Sequence, residues 1–259
     1  MLFRSEKLMF NEYIYLDSNF QNSPYMADNL PKVRYNPDKA RALLAESGWG
    51  QRNSEGWLVK DGQIFELELH YVGKWSEKFY TVFQEDLKKV GIKLNLKEIT
   101  WATKIKEVNE RNFSLTTGAY SGSSFPNPEV LYHSKFADVK NSGNRWGVKN
   151  ERIDELCELY NAEFDYQKRV TMLKEIDEIL TNEFTIAFDW FAPAERLVYW
   201  NKFGMPKSVL AKTGDYRDAP SLWWYDPEKQ DALNKAQESD AGLAVGETIV
   251  DHWQVLKED

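Results

Sequence analysis

The sequence predicts an α/β fold, a lobe built on a largely parallel sheet flanked by helices, and three observations carry that expectation. Residues 36–117 switch between helical and strand periodicity in the order α-β-α-β-α-β. Strands separated by helices of this length are joined by crossover connections, which run the strands parallel. Capping residues stand where the period changes, so local chemistry agrees with the longer pattern.

The first 35 residues lack such a period. Asn11, Tyr13, Tyr15, Asp17, Asn19 and Phe20 interleave polar and aromatic groups before Pro24 and Pro31, which reads as a connecting segment crossing a surface. Asn36-Pro37-Asp38 then supplies a cap, a proline preset for the first helical turn and an acid at the positive helix end. Ala40, Leu43 and Leu44 share one face, and Gly48 marks the stop.

Residues 63–72 alternate, with Phe65, Leu67, Leu69 and Tyr71 on one side and Glu66, Glu68 and His70 on the other. This is a half-buried strand, in which His70 is expected to face solvent. From Ser76 the period lengthens: Phe79, Val82, Phe83, Leu87 and Val90 form a helical stripe closed by Gly91. Ile92, Leu94 and Leu96 alternate into a second strand. Thr100 caps a short helix with Ile105 and Val108 inward, and Phe113, Leu115 and Thr117 make the third strand.

Ligands of such sheets sit beyond the carboxyl ends of the strands. The loop after the third strand, Gly118-Ala119-Tyr120-Ser121-Gly122-Ser123-Ser124-Phe125-Pro126-Asn127-Pro128, is therefore the first place to look. An ordinary Gly/Ser/Pro turn would read the same way. Further on, 151–164 places Ile153, Leu156, Cys157 and Tyr160 on one helical face, so Cys157 is expected to be a small core hydrophobe. Residues 167–182 carry Val170, Leu173, Ile176, Ile179 and Leu180. Phe184, Ile186, Phe188 and Trp190 alternate as a strand with an aromatic face, and a frayed helical tail is expected from 228 onward.

Composition excludes several functions. A net charge of −8 with no clustered basic stretch argues against nucleic acid as a partner. One cysteine forms no internal disulfide, and His70, His133 and His252 are too scattered for a metal cluster, so no metal or cofactor is expected. No apolar run is long enough to cross a bilayer, and the first ten residues lack a secretory signal pattern. Gly73-Lys74-Trp75 lacks the first glycine and the hydroxyl of a phosphate loop, and no G-x-S-x-G elbow occurs. His133, placed in a helix, is the only histidine near Gly122-Ser123-Ser124. Asn112-Phe113-Ser114 matches a glycosylation triplet at the start of a strand, where a chance match is the better explanation.

Two stretches resemble the extracellular solute-binding proteins of ABC importers, oligopeptide-binding class (family 5). Tyr35-Asn36-Pro37-Asp38-Lys39-Ala40-Arg41-Ala42-Leu43-Leu44-Ala45-Glu46-Ser47-Gly48-Trp49 is similar to that family's NPEKAKALLAEAGW segment, and Leu87-Lys88-Lys89-Val90-Gly91-Ile92-Lys93-Leu94 to its LKKIGIKV strand entry. Asn144, Gly147 and Asp154, then Lys168-Arg169 with Ile176 and Ile179-Leu180, continue the likeness in order. Leu16-Asp17-Ser18-Asn19-Phe20-Gln21-Asn22-Ser23, Ala137-Asp138 with Ser142-Gly143-Asn144-Arg145, and Trp223-Trp224 resemble the branch that takes up oligopeptides and microcin C. Where many peptide binders of the family hold the ligand's amino terminus with an aspartate, this loop has Ser123 and Ser124. The resemblance therefore does not extend to an amine-holding carboxylate there.

The resemblance implies a periplasmic-binding-protein-like lobe and a division into a 1–35 connection from an absent N-terminal lobe, a 36–225 C-terminal ligand-binding lobe and a 226–259 acidic tail. It implies a periplasmic parent protein whose signal sequence is absent here. It implies capture of oligopeptides or peptide-like solutes between two lobes, delivery to ABC permease transmembrane subunits, and no catalysis. The ligand-binding candidates from this lobe are Tyr120, Ser121, Ser123, Ser124, Asn144, Arg145, Trp146 and Trp190. Arg145 could hold a carboxylate or phosphate, or form a surface ion pair. Trp146 and Trp190 could stack on the guest or pack in the core. Without the other lobe, binding is expected to be weak, and residues beyond about 192 are expected to expose apolar surface that favours self-association. Two rivals stand beside this reading: a carbohydrate-active enzyme or sugar-binding module using aromatics and paired carboxylates, and an assembly domain without a small ligand.

Overall fold

A computed structural model describes residues 7–119, 123, 125–206, 216–243 and 249. The chain divides into two compact units, 1–121 with 126–193, and 122–125 with 194–259.

The first unit begins with β1 (Ile14–Tyr15). The segment that follows is bound to the fold more firmly than a surface crossing would be. Ser18, Tyr25 and Ala27 are buried, and the Asp177 carboxylate accepts from Ser18 Oγ (2.7 Å), Asn19 N (3.0 Å) and Ala27 N (3.0 Å). Arg34 grips Asp17 with two hydrogen bonds (2.5 and 2.8 Å) and lies over the Tyr15 ring. That guanidinium holds the Asp17 carboxyl below the usual carboxylate range.

Helix α1 (Pro37–Glu46) starts as its sequence dictates, with the Asn36 side chain accepting from Lys39 N and Pro37 in the first turn. Three short strands follow in an antiparallel meander: β2 (Gln51–Arg52), β3 (Leu58–Lys60) and β4 (Gln63–Ile64). The expected single strand over 63–72 is in fact two. Phe65 N donates to Leu58 O in the meander, while Phe65 O accepts from Lys93 N in the next sheet, so this residue hands the chain from one sheet to the other.

That next sheet has the order β6-β5-β7, with β5 (Glu66–Tyr71), β6 (Lys93–Glu98) and β7 (Leu115–Thr116) all parallel. Leu67 faces Leu94 and Leu69 faces Leu96 in register. Helix α2 (Lys74–Val90) connects β5 to β6 and ends at Gly91 in the left-handed region (φ +90°). A Cβ there would lie 2.6 Å from Arg52 Nη1 and 2.9 Å from Leu58 Cγ, so glycine is required for both reach and conformation.

Helix α3 (Trp101–Glu110), capped by Thr100, connects β6 to β7. Its inward residue is Lys104, whereas Ile105 is exposed, which corrects the expected apolar face. His70 is also corrected. It is buried, because Glu107 of α3 meets its Nδ1 at 2.6 Å and Glu68 meets its Nε2, giving the ring polar partners under the helix.

The rest of the unit is helical: α4 (Pro128–Tyr132), a 3₁₀ turn at Ser134–Phe136, α5 (Glu151–Ala162) and α6 (Tyr166–Asn182). Ile153, Leu156, Cys157 and Tyr160 pack with Leu173, Ile176 and Leu180 in one core, as the 3.6-residue stripe requires. His133 sits between α4 and the 3₁₀ turn as a cap for both, not inside a helix as expected. The expected strand over 184–190 shrinks to β8 (Trp190–Phe191), paired antiparallel with β1. Phe184 has φ +52° and faces solvent after α6, so its alternation with Ile186 and Phe188 does not reflect pleating.

In the second unit β9 (Phe203–Gly204) pairs antiparallel with β10 (Trp224–Tyr225), and the Trp223 ring lies 4.7 Å from Tyr199 and 5.8 Å from Phe203. The expected frayed tail contains a capped helix, α7 (Pro227–Glu238), with Asp226 accepting from Lys229 N. Among the described residues no helix is long and apolar enough to cross a membrane.

Candidate ligand-binding rim

Parallel strands point all their carboxyl ends to one rim. β5 leaves there through Val72 and Gly73 into α2, β6 through Ile99 and Thr100 into α3, and β7 ends there at Thr116. The first turns of α2 and α3 bring Trp75 and Trp101 to this rim, 75% and 63% exposed. Such exposure of indole costs hydrophobic stabilisation unless a guest covers it. Trp190 joins from β8, its ring 5.4 Å from Phe79, which in turn meets Trp75 edge-on.

Beneath the aromatics lies a polar network. Lys104 Nζ donates to Thr117 Oγ1 at 2.6 Å. Burial pushes the Tyr80 hydroxyl's pKa up, the neighbouring Thr117 and Ser76 oppose that shift and the Asp189 charge adds to it. Ser76 Oγ donates to Gly73 O (2.8 Å) and Val72 O (3.2 Å), fixing the strand-to-helix turn. Burial lowers the Lys104 pKa. Among the described residues no group of three or more His, Cys, Asp or Glu side chains could hold a metal ion. The rim offers stacking faces, hydroxyls and the buried Lys104 ammonium, which is chemistry for holding a solute by its edges.

The candidates from sequence fall in different places. Tyr120, Ser121 and Ser124 lie outside the described residues. Ser123 is exposed, in the second unit, with its Oγ accepting from Phe125 N at 3.3 Å. Trp190 is at the rim. Asn144 is fully buried, its amide donating to His133 O (3.2 Å) and Val148 O (2.9 Å) and accepting from Val148 N (2.9 Å). Its side chain is thus engaged inside the protein. Trp146 is half-buried against the α5–α6 core, 6.3 Å from the Tyr132 ring, and Arg145 is exposed.

The 144–146 loop is held at the far end of α3. Asn141 N donates to Asn109 O, and Arg111 Nη2 donates to Phe136 O (2.8 Å), Ser142 Oγ (2.9 Å) and Asn144 O (2.6 Å). Because α3 runs back against the strands, this is the amino-end rim of the sheet. The structure therefore does not bring Asn144, Arg145 and Trp146 together with Trp190. Sequence reasoning missed Trp75, Tyr80, Trp101, Lys104 and Thr117. A signal existed: Trp75 and Trp101 each stand just past a strand's carboxyl end, and Lys104 interrupts the stripe that Trp101 and Val108 continue.

A helix-flanked parallel sheet with an aromatic and polar carboxyl rim is the architecture of a solute-binding lobe. Residues 5–142 match the bacterial extracellular solute-binding proteins, family 5 middle, and the chain belongs to that family. It is similar to the oligopeptide-binding protein AppA of Bacillus subtilis (strain 168), with 34% identity over 132 residues, 49% of this chain and 24% of AppA. It is similar to the uncharacterized protein YejA of Escherichia coli (strain K12), with 21% identity over 266 residues, 90% of this chain and 43% of YejA. The solved structure of Bacillus subtilis AppA in complex with a nonapeptide shares the fold, with a TM-score of 0.68 and 22% identity over 85% of this chain and 44% of that one. The chain thus spans less than half the length of these relatives.

Proposed function

We propose that this chain forms the C-terminal lobe of the substrate-binding component of an ABC importer, which captures oligopeptides or peptide-like solutes and delivers them to permease subunits. The observation that carries the reading is the carboxyl rim of the parallel sheet, which carries Trp75, Trp101 and Trp190 together with Lys104 hydrogen-bonded to Thr117, in a member of the family-5 solute-binding proteins. Indole faces stack on side chains or peptide planes, and hydroxyls pair with amides. The guest closes against a preceding lobe reached through residues 1–35, outside the cytoplasm in the periplasm, and the chain performs no catalysis. Tyr120 and Ser121, which follow β7 in sequence, belong to this proposal as further contacts. The rival of a carbohydrate-active enzyme has no support from the family.

A thermal-shift screen of the two-lobed parent protein with oligopeptides, oligosaccharides and nickel chelates tests this. Peptides are expected to raise the melting temperature, with stabilisation approaching about 2.7 kcal/mol at a hundredfold excess over Kd. Stabilisation confined to sugars, or none with any peptide, overturns it.

A further inference from the structure

Trp75 combines two properties that seldom occur together: it is 75% exposed, the most exposed tryptophan among the described residues, and its indole is nevertheless held in place. Gly73, at the N-cap of α2, has φ +81°. A Cβ there would lie 2.8 Å from Trp75 Nε1 and 2.9 Å from its Cδ1, so the pyrrole part of the indole occupies the space that any other side chain at 73 would fill. The buried Ser76 ties its hydroxyl to Gly73 O and Val72 O, which fixes the turn beneath the ring. One turn along α2, the Phe79 ring meets the indole edge-on at 6.4 Å, and Phe79 is itself buried and backed by Trp190 at 5.4 Å. Trp101, the other exposed indole of the rim, differs, because the Lys104 ammonium already lies 5.8 Å from its ring.

An indole that is both fixed and open is a flat surface ordered before any guest arrives, so stacking on it costs little further side-chain entropy. A fixed flat face matches a flat ring: an aromatic pair gains beyond its buried area, whereas an aliphatic group gains only its burial. We infer that Trp75 is a preformed stacking platform, placed by Gly73, that selects guests carrying an aromatic side chain. The inference rests on the functional reading above and adds to it a specificity-determining residue and the glycine that positions it.

The test uses calorimetric titration of the two-lobed parent protein with tetra-alanine peptides that carry phenylalanine, or cyclohexylalanine, at each position in turn. The two side chains have the same carbon skeleton, but only phenylalanine is flat and carries a π face. At one position or more the wild type is expected to bind the phenylalanine peptide about 3- to 10-fold more tightly than its cyclohexylalanine counterpart, the range of one aromatic pair. Trp75→Leu keeps an apolar group at the exposed site and is expected to weaken the phenylalanine peptide and bring that ratio close to one. Trp75→Phe, which retains a flat ring, is expected to restore part of the preference. Gly73→Ala leaves the indole present but fills its place, and is expected to lower the ratio as Trp75→Leu does. Equal binding of the two peptides at every position in the wild type, or a preference retained in Trp75→Leu, overturns this inference and leaves the functional reading standing. Failure of every peptide to bind overturns the functional reading and this inference with it.

Discussion

Asp177→Ala is expected to destabilise the first unit by about 3–5 kcal/mol, the cost of leaving three donors in the interior without their acceptor. The carboxylate is fully buried in α6 and accepts three hydrogen bonds from residues 150 or more positions earlier, namely Ser18 Oγ and the Asn19 and Ala27 amides. Alanine leaves all three donors without their acceptor in the interior, where each unsatisfied group costs about 1–3 kcal/mol less whatever water enters. Asn is expected to do less damage. It keeps one acceptor oxygen but turns an NH₂ toward donors. Urea unfolding followed by Trp fluorescence reads the stability, and amide exchange at Asn19 and Ala27 reads the location. An Asp177→Ala protein within 1 kcal/mol of wild type would show that the 15–27 segment is held by something else.

Cys157 is expected to react with iodoacetamide at least about a thousandfold more slowly in the folded protein than in urea. Burial pushes its thiol up to about 12, with the Asp154 and Glu129 charges adding to the shift. The thiolate, the reactive form, is then about one part in ten thousand at pH 8, against roughly a quarter for an ordinary thiol. Complete burial between α5 and α6 adds a steric block. The direction is fixed: raising the pH toward 12 increases labelling, and lowering it does not. Equal rates in native and unfolded protein would place Cys157 outside the core.

The same core shows what periodicity can deliver. Ile153, Leu156, Cys157 and Tyr160 were legible as one face because long helices repeat the signal over three turns, and all four are buried. Gly91 was legible as a helix stop because a left-handed cap has few alternatives to glycine. The β2-β3-β4 meander was not read, since strands of two or three residues carry no period. Its one clear mark was Asp61-Gly62, both with positive φ, forming the two-residue turn between Lys60 and Gln63. The alternation at 184–190 misled for the converse reason: four apolar residues at spacing two arise without pleating when the chain leaves a helix through a left-handed residue, Phe184.

For the site, the carboxyl-end rule directed attention to the rim of the sheet but to its loop, when the side chains that define it stand on α2, α3 and β8 and at Thr117 just past β7. Lys104 was hidden inside a helical stripe, where a cation reads as a solvated neighbour. Arg145, in the following loop, was counted with the post-β7 residues in one candidate set. Only the tertiary bonds of Arg111 to Ser142 and Asn144 reveal that its loop returns to the opposite end of α3. Spacing along a chain cannot express that reversal.

The central claim is that this lobe grips its guest at the carboxyl rim of the parallel sheet, and photo-crosslinking tests it most directly. A nonapeptide carrying p-benzoylphenylalanine, irradiated with the chain and mapped by mass spectrometry, is predicted to label residues 73–80, 100–104 and 117–119. Labelling concentrated in 141–147, at the other end of α3, or spread over the α5–α6 surface, would contradict it.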